Sequence, residues 1–346
     1  MPQDFASDVV AGSSSAAAGT NPNAGAGAGA GAGAAPRVVV LIPCYNEAVA
    51  IGQVVRDFRV ALPDARVLVY DNNSNDGTAA VARDAGAIVR TETLQGKGHV
   101  LRRMFADVEA DIYVLVDGDG TYEAAAAPAL VRRLVEDDLD MVNASRVTDR
   151  TAAYRRGHVL GNRVLTGLVA AIFGKRLGDM LSGYRVFSRR FVKSFPALAA
   201  GFETETELTV HALELSMPIA EIPTRYVERP EGSHSKLRTY RDGWRILRTI
   251  VVLMKQERPL AFFGGIGIVL VVLALLLGLP VVAEFFRTHR VPRLPTAVLA
   301  MGLVMLSFLC FVCGLILDSV TRARLELKRL AYLALPGPDP RSNLAA

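Results

Sequence analysis

The sequence predicts an α/β domain with a mostly parallel sheet, carried on a membrane by a surface helix and a two-helix hairpin. Three observations predict it. Short β-rich runs, RVVVLIP, RVLVY and DIYVLVD, alternate with stretches of helical spacing, the pattern of a layered parallel sheet. Each run ends in a polar or glycine-rich cluster, and open α/β sheets bind ligands beyond the carboxyl ends of their strands. Two apolar stretches of about 24 residues lie near the C-terminus, and about 20 suffice to cross a bilayer.

Residues 1–35 are mostly Ala, Gly and Ser and end in an alternating Gly-Ala run. Such a segment buries too little apolar area to offset its backbone entropy, so it is expected as a disordered tail. It lacks the basic start and leucine-type core of a signal peptide. Its every-second-residue glycines do not make a dinucleotide loop either. The domain is expected over 36–237. Its strands lie at the three runs, and its helices at Val49–Leu62, Thr78–Ala85, His99–Val108 and Ala124–Leu134. The polar clusters PCYNE, DNNSNDGT and DGDGTY then fall on one edge of the sheet. Gly157–Phe173, apolar apart from Arg163, reads equally as a surface-seeking or a core helix.

Residues 238–258 follow as a juxtamembrane amphipathic helix. Trp244, Leu247, Val251 and Met254 share one helical face, while Arg241, Arg245, Arg248 and Lys255 supply positive charge, as an interfacial helix requires. A transmembrane hairpin spans 259–318, with membrane segments 260–283 and 294–317, and residues 319–346 are expected as a C-terminal tail. Basic residues on the outer flanks outnumber those in the connecting loop. The positive-inside rule then places the domain and both termini in the cytoplasm, at the inner membrane.

The net charge of +5 comes mostly from arginine, and no basic block is dense enough for nucleic acid. Cys310 and Cys313 lie inside an apolar stretch without further ligands, and read as small apolar residues of a membrane helix. Cys44 has no histidine near it in sequence, which disfavours a catalytic thiol.

The chemistry concentrates at Asp117 and Asp119. Two carboxylates one residue apart repel and resist losing water, and a divalent cation compensates such a pair. Mg2+ or Mn2+ bound by a few carboxylates plus the phosphates of a nucleotide is a common arrangement. The ion offsets charge building on a departing diphosphate. Asp71 ends another strand and opens the loop Asn72–Thr78. That loop serves either a base or ribose or a turn and helix cap at Asn75 or Asp76, and the two are compatible. QGKG at 95–98, which holds Lys97, has a phosphate-binding look, but the P-loop pattern is absent.

IPCYNE at 42–47, YDNNSNDGT at 70–78, QGKG at 95–98 and DGDGTY at 117–122 resemble glycosyltransferase family 2. ASRV at 144–147, DMLSGYRVFSRR at 179–190, GFETETELT at 201–209 and ERPEGSHSKL at 228–237 resemble its polyprenyl-phosphate sugar transferases, the dolichol-phosphate mannosyl- and glucosyltransferase group. The resemblance implies a GT-A fold and inverting transfer of one sugar from a nucleotide-sugar donor to undecaprenyl or dolichyl phosphate. A UDP-sugar is slightly favoured over GDP-mannose. By the same likeness Pro43, Tyr45, Glu47 and Asp71 hold the nucleotide, and Asp117 and Asp119 the metal. Arg146 and Arg163 meet the acceptor phosphate, while Ser235 and Lys236 close over the diphosphate. The chain departs from the commoner pattern at Asn72, where many members carry a second aspartate, and at His234, read as a loop filler.

One physical point stands apart from the likeness. A sugar hydroxyl needs a general base, whereas a phosphate monoester, with a second pKa of about 6, is already largely dianionic. It needs arginines to hold and aim it, and Arg146, Arg155, Arg156, Arg163 and Arg185 are available for that. Glu203, Glu205 and Glu207 read as the first turn of a helix running to Leu215, favoured there by the dipole. Glu205 is also the candidate contact to the donor sugar, or the base if the acceptor is a hydroxyl. That hydroxyl-directed activity is the alternative, and a non-catalytic membrane-anchored nucleotide-sugar-binding protein is the third reading.

Overall fold

The computed structural model describes residues 36–147, 167, 178–201, 203–227, 248, 251–252 and 254–337. The predicted α/β alternation is present. β1 (Val38–Cys44), α1 (Ala48–Ala61), β2 (Arg66–Asp71), α2 (Thr78–Asp84), β3 (Ile88–Thr91), α3 (Lys97–Asp107) and β4 (Ile112–Leu115) follow one another. A 3-10 turn at Ala124–Ala126 leads into α4 (Ala127–Glu136) and β5 (Met141–Val147). Then come β6 (Arg185–Ser188), α5 (Arg189–Ser194), α6 (Thr204–Glu214) and β7 (Ile219–Arg225).

These strands form one seven-stranded sheet in the order β3-β2-β1-β4-β6-β5-β7. β1 pairs in parallel with β2 and β4, β2 with β3, and β5 with β7. β6 runs antiparallel to both its neighbours, so the sheet is mostly parallel. Alternate residues of each strand face opposite sides. Val39 and Leu41 of β1 and Tyr113 and Leu115 of β4 pack with α3, α5 and α6. Val40, Ile42, Ile112 and Val114 pack with α1, α2 and α4. With both faces covered, β1 and β4 are near-continuous apolar runs rather than alternating.

Two long helices end the described chain. α7 covers Pro259–Thr288, and α8 covers Leu294–Leu333. Both are long and apolar enough to cross a membrane, and 17% of the most apolar window of each is buried within the protein, where the core helix of a soluble protein is mostly buried. Small residues let them approach closely. Ser307 donates to the Gly267 carbonyl at 2.9 Å, and a Cβ on Gly314 would touch Phe263 and Leu260.

The expected tail at 319–346 is different in the structure. α8 continues for four turns beyond the predicted span and returns to the catalytic domain. Lys328 pairs with Glu214 at 2.6 Å, Tyr332 donates to Asp140 at 2.8 Å, and the Arg190 guanidinium lies 4.9 Å from the Tyr332 ring centre. Leu325 and Tyr332 pack on the α3–α5–α6 core, and so does Met254. Most of the juxtamembrane segment 238–258 and all of Gly157–Phe173 apart from residue 167 lie outside the described residues. Met254–Glu257 are helical.

Candidate active site

β1, β2 and β4 deliver their carboxyl ends to one edge. The chain steps outward from β1 to β2 and β3, then crosses back to β4 on the other side of β1. The crevice between β1 and β4 is therefore the switch point at which such sheets bind ligands. Asp117 and Asp119 follow β4 directly. Gly118 between them fits because a Cβ there would meet Cys44 Sγ at 2.5 Å. A cavity of about 950 Å3 opens at this edge.

Six expected site residues line it: Pro43, Tyr45, Glu47, Lys97, Asp117 and Asp119. Asp71 and Glu205 stand behind its wall, buried. Asp71 accepts from the Ser74 amide through Oδ2 at 3.2 Å, while its buried Oδ1 has no partner. Lys97 Nζ bridges Asp117 Oδ1 and Glu205 Oε1, 2.5 Å from each. Burial alone would lower the Lys97 pKa, but the two carboxylates raise it far above the ordinary lysine value. Glu205 Oε2 is buried without a partner. Thr121 donates to Asp119 Oδ1 from Oγ1 at 2.6 Å and from its amide at 3.2 Å.

The β1 and β2 loops are knitted together. Amides of Asn46, Glu47 and Ala48 donate to Ser74 Oγ, Thr78 Oγ1 and Asp76 Oδ2 at 2.9, 2.9 and 3.0 Å. Burial would raise the Asp76 carboxyl, yet hydrogen bonds from Thr78 and Ala48 hold it below the usual range. Gly77, at φ 89°, occupies the N-cap position of α2 expected at Asn75 or Asp76. Asp76 instead satisfies the first helical amide, that of Thr78, at 3.0 Å. Asn72 has a structural task. Its amide donates to the carbonyls of Glu92 and Leu94 at 2.9 and 2.7 Å and accepts from Gly96 N at 2.7 Å. That fixes the approach to Lys97.

The glycines of QGKG work by close approach. A Cβ on Gly98 would lie 2.0 Å from the Ala199 carbonyl oxygen, and one on Gly96 2.3 Å from that of Ala200. The segment before α6 can therefore lie against the start of α3 and bring Glu205 to Lys97. Glu207 fastens the same segment by accepting from Leu198 and Ala199 amides at 2.8 and 2.9 Å. Gly183, from LSGYR, donates to Tyr122 OH at 2.8 Å. A Cβ on it would lie 2.1 Å from Asp117 Oδ2.

Two arginine expectations change. Arg185, one of the five arginines available to a phosphate, is fully buried and donates to Met180 O, Ser182 O and Thr209 Oγ1 at 2.6, 3.0 and 2.8 Å. It is a core strut and cannot reach a phosphate. Arg146 forms a two-pronged pair with Asp179, 2.6 and 2.8 Å, outside the residues that line the cavity. Burial would raise the Asp179 carboxyl, but Arg146 holds it below the ordinary range. Arg163, Ser235 and Lys236, with Arg155, Arg156 and His234, lie outside the described residues. The Cys44 thiol is pushed well up by burial and then by Glu47, Asp71, Asp117 and Asp119, which removes it as a nucleophile.

Sequence reasoning missed Gly183 and the cavity's far end. Phe195, Val210, His211, Gln256, Glu257 and Lys328 line that end. The Gly in LSGYR was visible, but its contact with Asp117 depends on β6 pairing with β4.

The model of the family described as "Glycosyl transferase family 2" matches residues 39–195. Glycosyltransferase AglJ of Haloferax volcanii is 34% identical over 86% of this chain and 98% of its own. A dolichyl-phosphate hexose transferase of the same organism is 28% identical over 64% of this chain and 95% of its own. Among solved structures, glucosyl-3-phosphoglycerate synthase of Mycobacterium tuberculosis with Mg2+ and UDP superposes with a TM-score of 0.54 at 23% identity, covering 64% of this chain and 79% of that one. That likeness shows a shared GT-A fold. With paired carboxylates at the switch point of such a sheet and relatives matched almost end to end, the chain belongs to glycosyl transferase family 2 and is a glycosyltransferase.

Proposed function

We propose that the protein transfers one sugar, with inversion, from a nucleotide-sugar to a polyprenyl phosphate at the cytoplasmic face of the membrane. The observation that carries this reading is the continuity of the cavity. It reaches from Asp117 and Asp119 to Arg248, Val252, Gln256 and Glu257, just before the first membrane-length helix, and to Lys328 on the second. A lipid-borne acceptor keeps its tail in the bilayer, so its head group must be met beside such helices. The dolichyl-phosphate hexose transferase among the relatives supports the same acceptor class.

Among the described residues no group of three or more His, Cys, Asp or Glu is placed to hold a metal. Asp117 and Asp119, both lining the cavity, fit a cation completed by donor phosphate oxygens, the habit of Mg2+ and Mn2+. Bound there, the ion would offset charge on the leaving diphosphate. Pro43, Tyr45, Glu47 and Asp71 would hold the nucleotide, Asp71 through the oxygen that now lacks a donor. Ser235 and Lys236 would cover the diphosphate. Lys97 would add positive charge beside it, and Arg163 would aim the acceptor phosphate. A dianionic phosphate attacks without a base, consistent with Glu205 being committed to Lys97 rather than poised beside an acceptor. A UDP-sugar is the first donor to try.

The test is incubation of membranes containing the protein with labelled nucleotide-sugars, one at a time. Label should pass into organic extract only with added undecaprenyl or dolichyl phosphate and with Mg2+ or Mn2+. Transfer untouched by a chelator would refute the metal assignment. Label appearing on a hydroxyl acceptor instead would favour Glu205 as base.

A further inference from the structure

The cavity follows one face of α6. Glu203, Thr206, Glu207, Val210 and His211 line it, the three-and-four spacing of a single helical face. Eight residue steps at the helical rise of 1.5 Å make this wall about 12 Å long. Each end of α6 carries an acid paired to a lysine that lines the same cavity. Glu205 holds Lys97 at the metal end, and Glu214 holds Lys328 at the other. Helical rise puts these two acids about 13 Å apart, a span that two lysine–phosphate contacts can fill with the two phosphates on opposite sides of one anomeric carbon.

The far end is electrically ready for an anion. Burial, and the neighbouring Glu214, push the Glu257 carboxyl up to about 9, so it is uncharged near neutrality. Burial, then the charge of Lys328, pushes His211 down to about 3, leaving a neutral ring. Ser194 joins its Nε2 at 3.0 Å, and its buried Nδ1 has no partner. Lys328 pairs with Glu214, while Arg248 adds a second positive charge to the wall. Phe195, Leu198 and Val252 supply apolar wall beside these groups.

We propose that Lys328 binds the phosphate of the acceptor, a phosphomonoester with an apolar tail, through ammonium hydrogens that its contact with Glu214 leaves over. This rests on the lipid-phosphate reading above and adds a residue from the C-terminal extension of α8. One lysine would then mark each phosphate, Lys97 the donor's and Lys328 the acceptor's. Keeping Glu214 on Lys328 leaves no carboxylate buried without a partner when the anion arrives.

The test is binding, without donor, of farnesyl phosphate and of farnesol to the full-length protein in detergent. Wild type should bind the phosphate at least tenfold more tightly than the alcohol. Lys328→Met should lose at least tenfold for farnesyl phosphate and nothing for farnesol, and keep UDP affinity within twofold. Lys328→Arg, which keeps the charge, should stay within threefold of wild type and guards against misfolding. Unchanged farnesyl phosphate binding by Lys328→Met, or an equal loss for UDP, overturns the proposal. A protein that binds farnesyl phosphate through Lys328 but transfers sugar to no lipid phosphate would refute the transfer reading alone.

Discussion

Gly183→Ala separates the site from the fold. Gly183 is not in the left-handed region, so alanine fits its backbone. The added Cβ would stand 2.1 Å from Asp117 Oδ2 and 2.6 Å from its Cγ, against an ordinary contact of 3.4 Å or more. The carboxylate must therefore move by more than 1 Å. It is the end of a side chain, so the backbone need not follow, and thermal stability should stay near wild type. Misplacement by about 1 Å of a group that organises a reaction costs on the order of 100-fold, equivalent to about 2.7 kcal/mol of barrier. The assay is lipid-linked transfer with Mn2+ titration, alongside thermal unfolding. A variant that unfolds with wild-type behaviour should show about 100-fold lower turnover and weakened Mn2+ response. Turnover within threefold of wild type would refute the claim that Gly183 sets the position of Asp117.

Asp119→Asn should abolish transfer while the protein remains folded in membranes, since Thr121 still has an oxygen to bond; full activity would remove the metal assignment. Gly98→Ala meets backbone rather than a side chain, the Ala199 carbonyl at 2.0 Å. It should destabilise the domain by about 1–3 kcal/mol, as overpacking does, read as a lowered denaturation midpoint. Glu257 ionises near 4.5 when unfolded and near 9 in the structure. Its contribution to stability is full below pH 4.5 and declines as pH rises to about 9, because the unfolded chain gives up the proton first. Glu257→Gln should therefore be more heat-resistant than wild type at pH 9 and match it at pH 4.5; equal behaviour at both would refute the buried, neutral carboxyl.

The first half of the domain was legible because local pattern and tertiary role coincide there. β1, β2 and β4 are apolar runs covered on both faces, and Asp71, Asp117 and Lys97 follow from strand ends and glycine punctuation. β3, half exposed and short, and β6, four residues around a buried arginine, carry no such pattern. Arg185 shows the limit: composition marks an arginine as a surface charge or phosphate clamp, and only the β4–β6–β5 pairing places it in the core. Glu205 and Glu207 differ for a similar reason. Both suit a helix N-terminus, yet one turns to Lys97 and the other fastens the preceding loop. The α8 extension was read as a tail because its charged residues interrupt the apolar run. Their spacing still presents Leu325, Lys328 and Tyr332 towards the domain.

The return of α8 has a mechanical consequence. The catalytic domain is gripped at two points, once where the chain descends through Met254 and Glu257 and again where it rises through Lys328 and Tyr332. A domain hung on a single linker swivels freely. One mounted at two points keeps a fixed heading, so the lipid acceptor proposed above would meet the mouth of the cavity at one angle. Cutting the chain after residue 318 would leave both apolar segments and every cleft carboxylate in place, and would give up that heading together with Lys328.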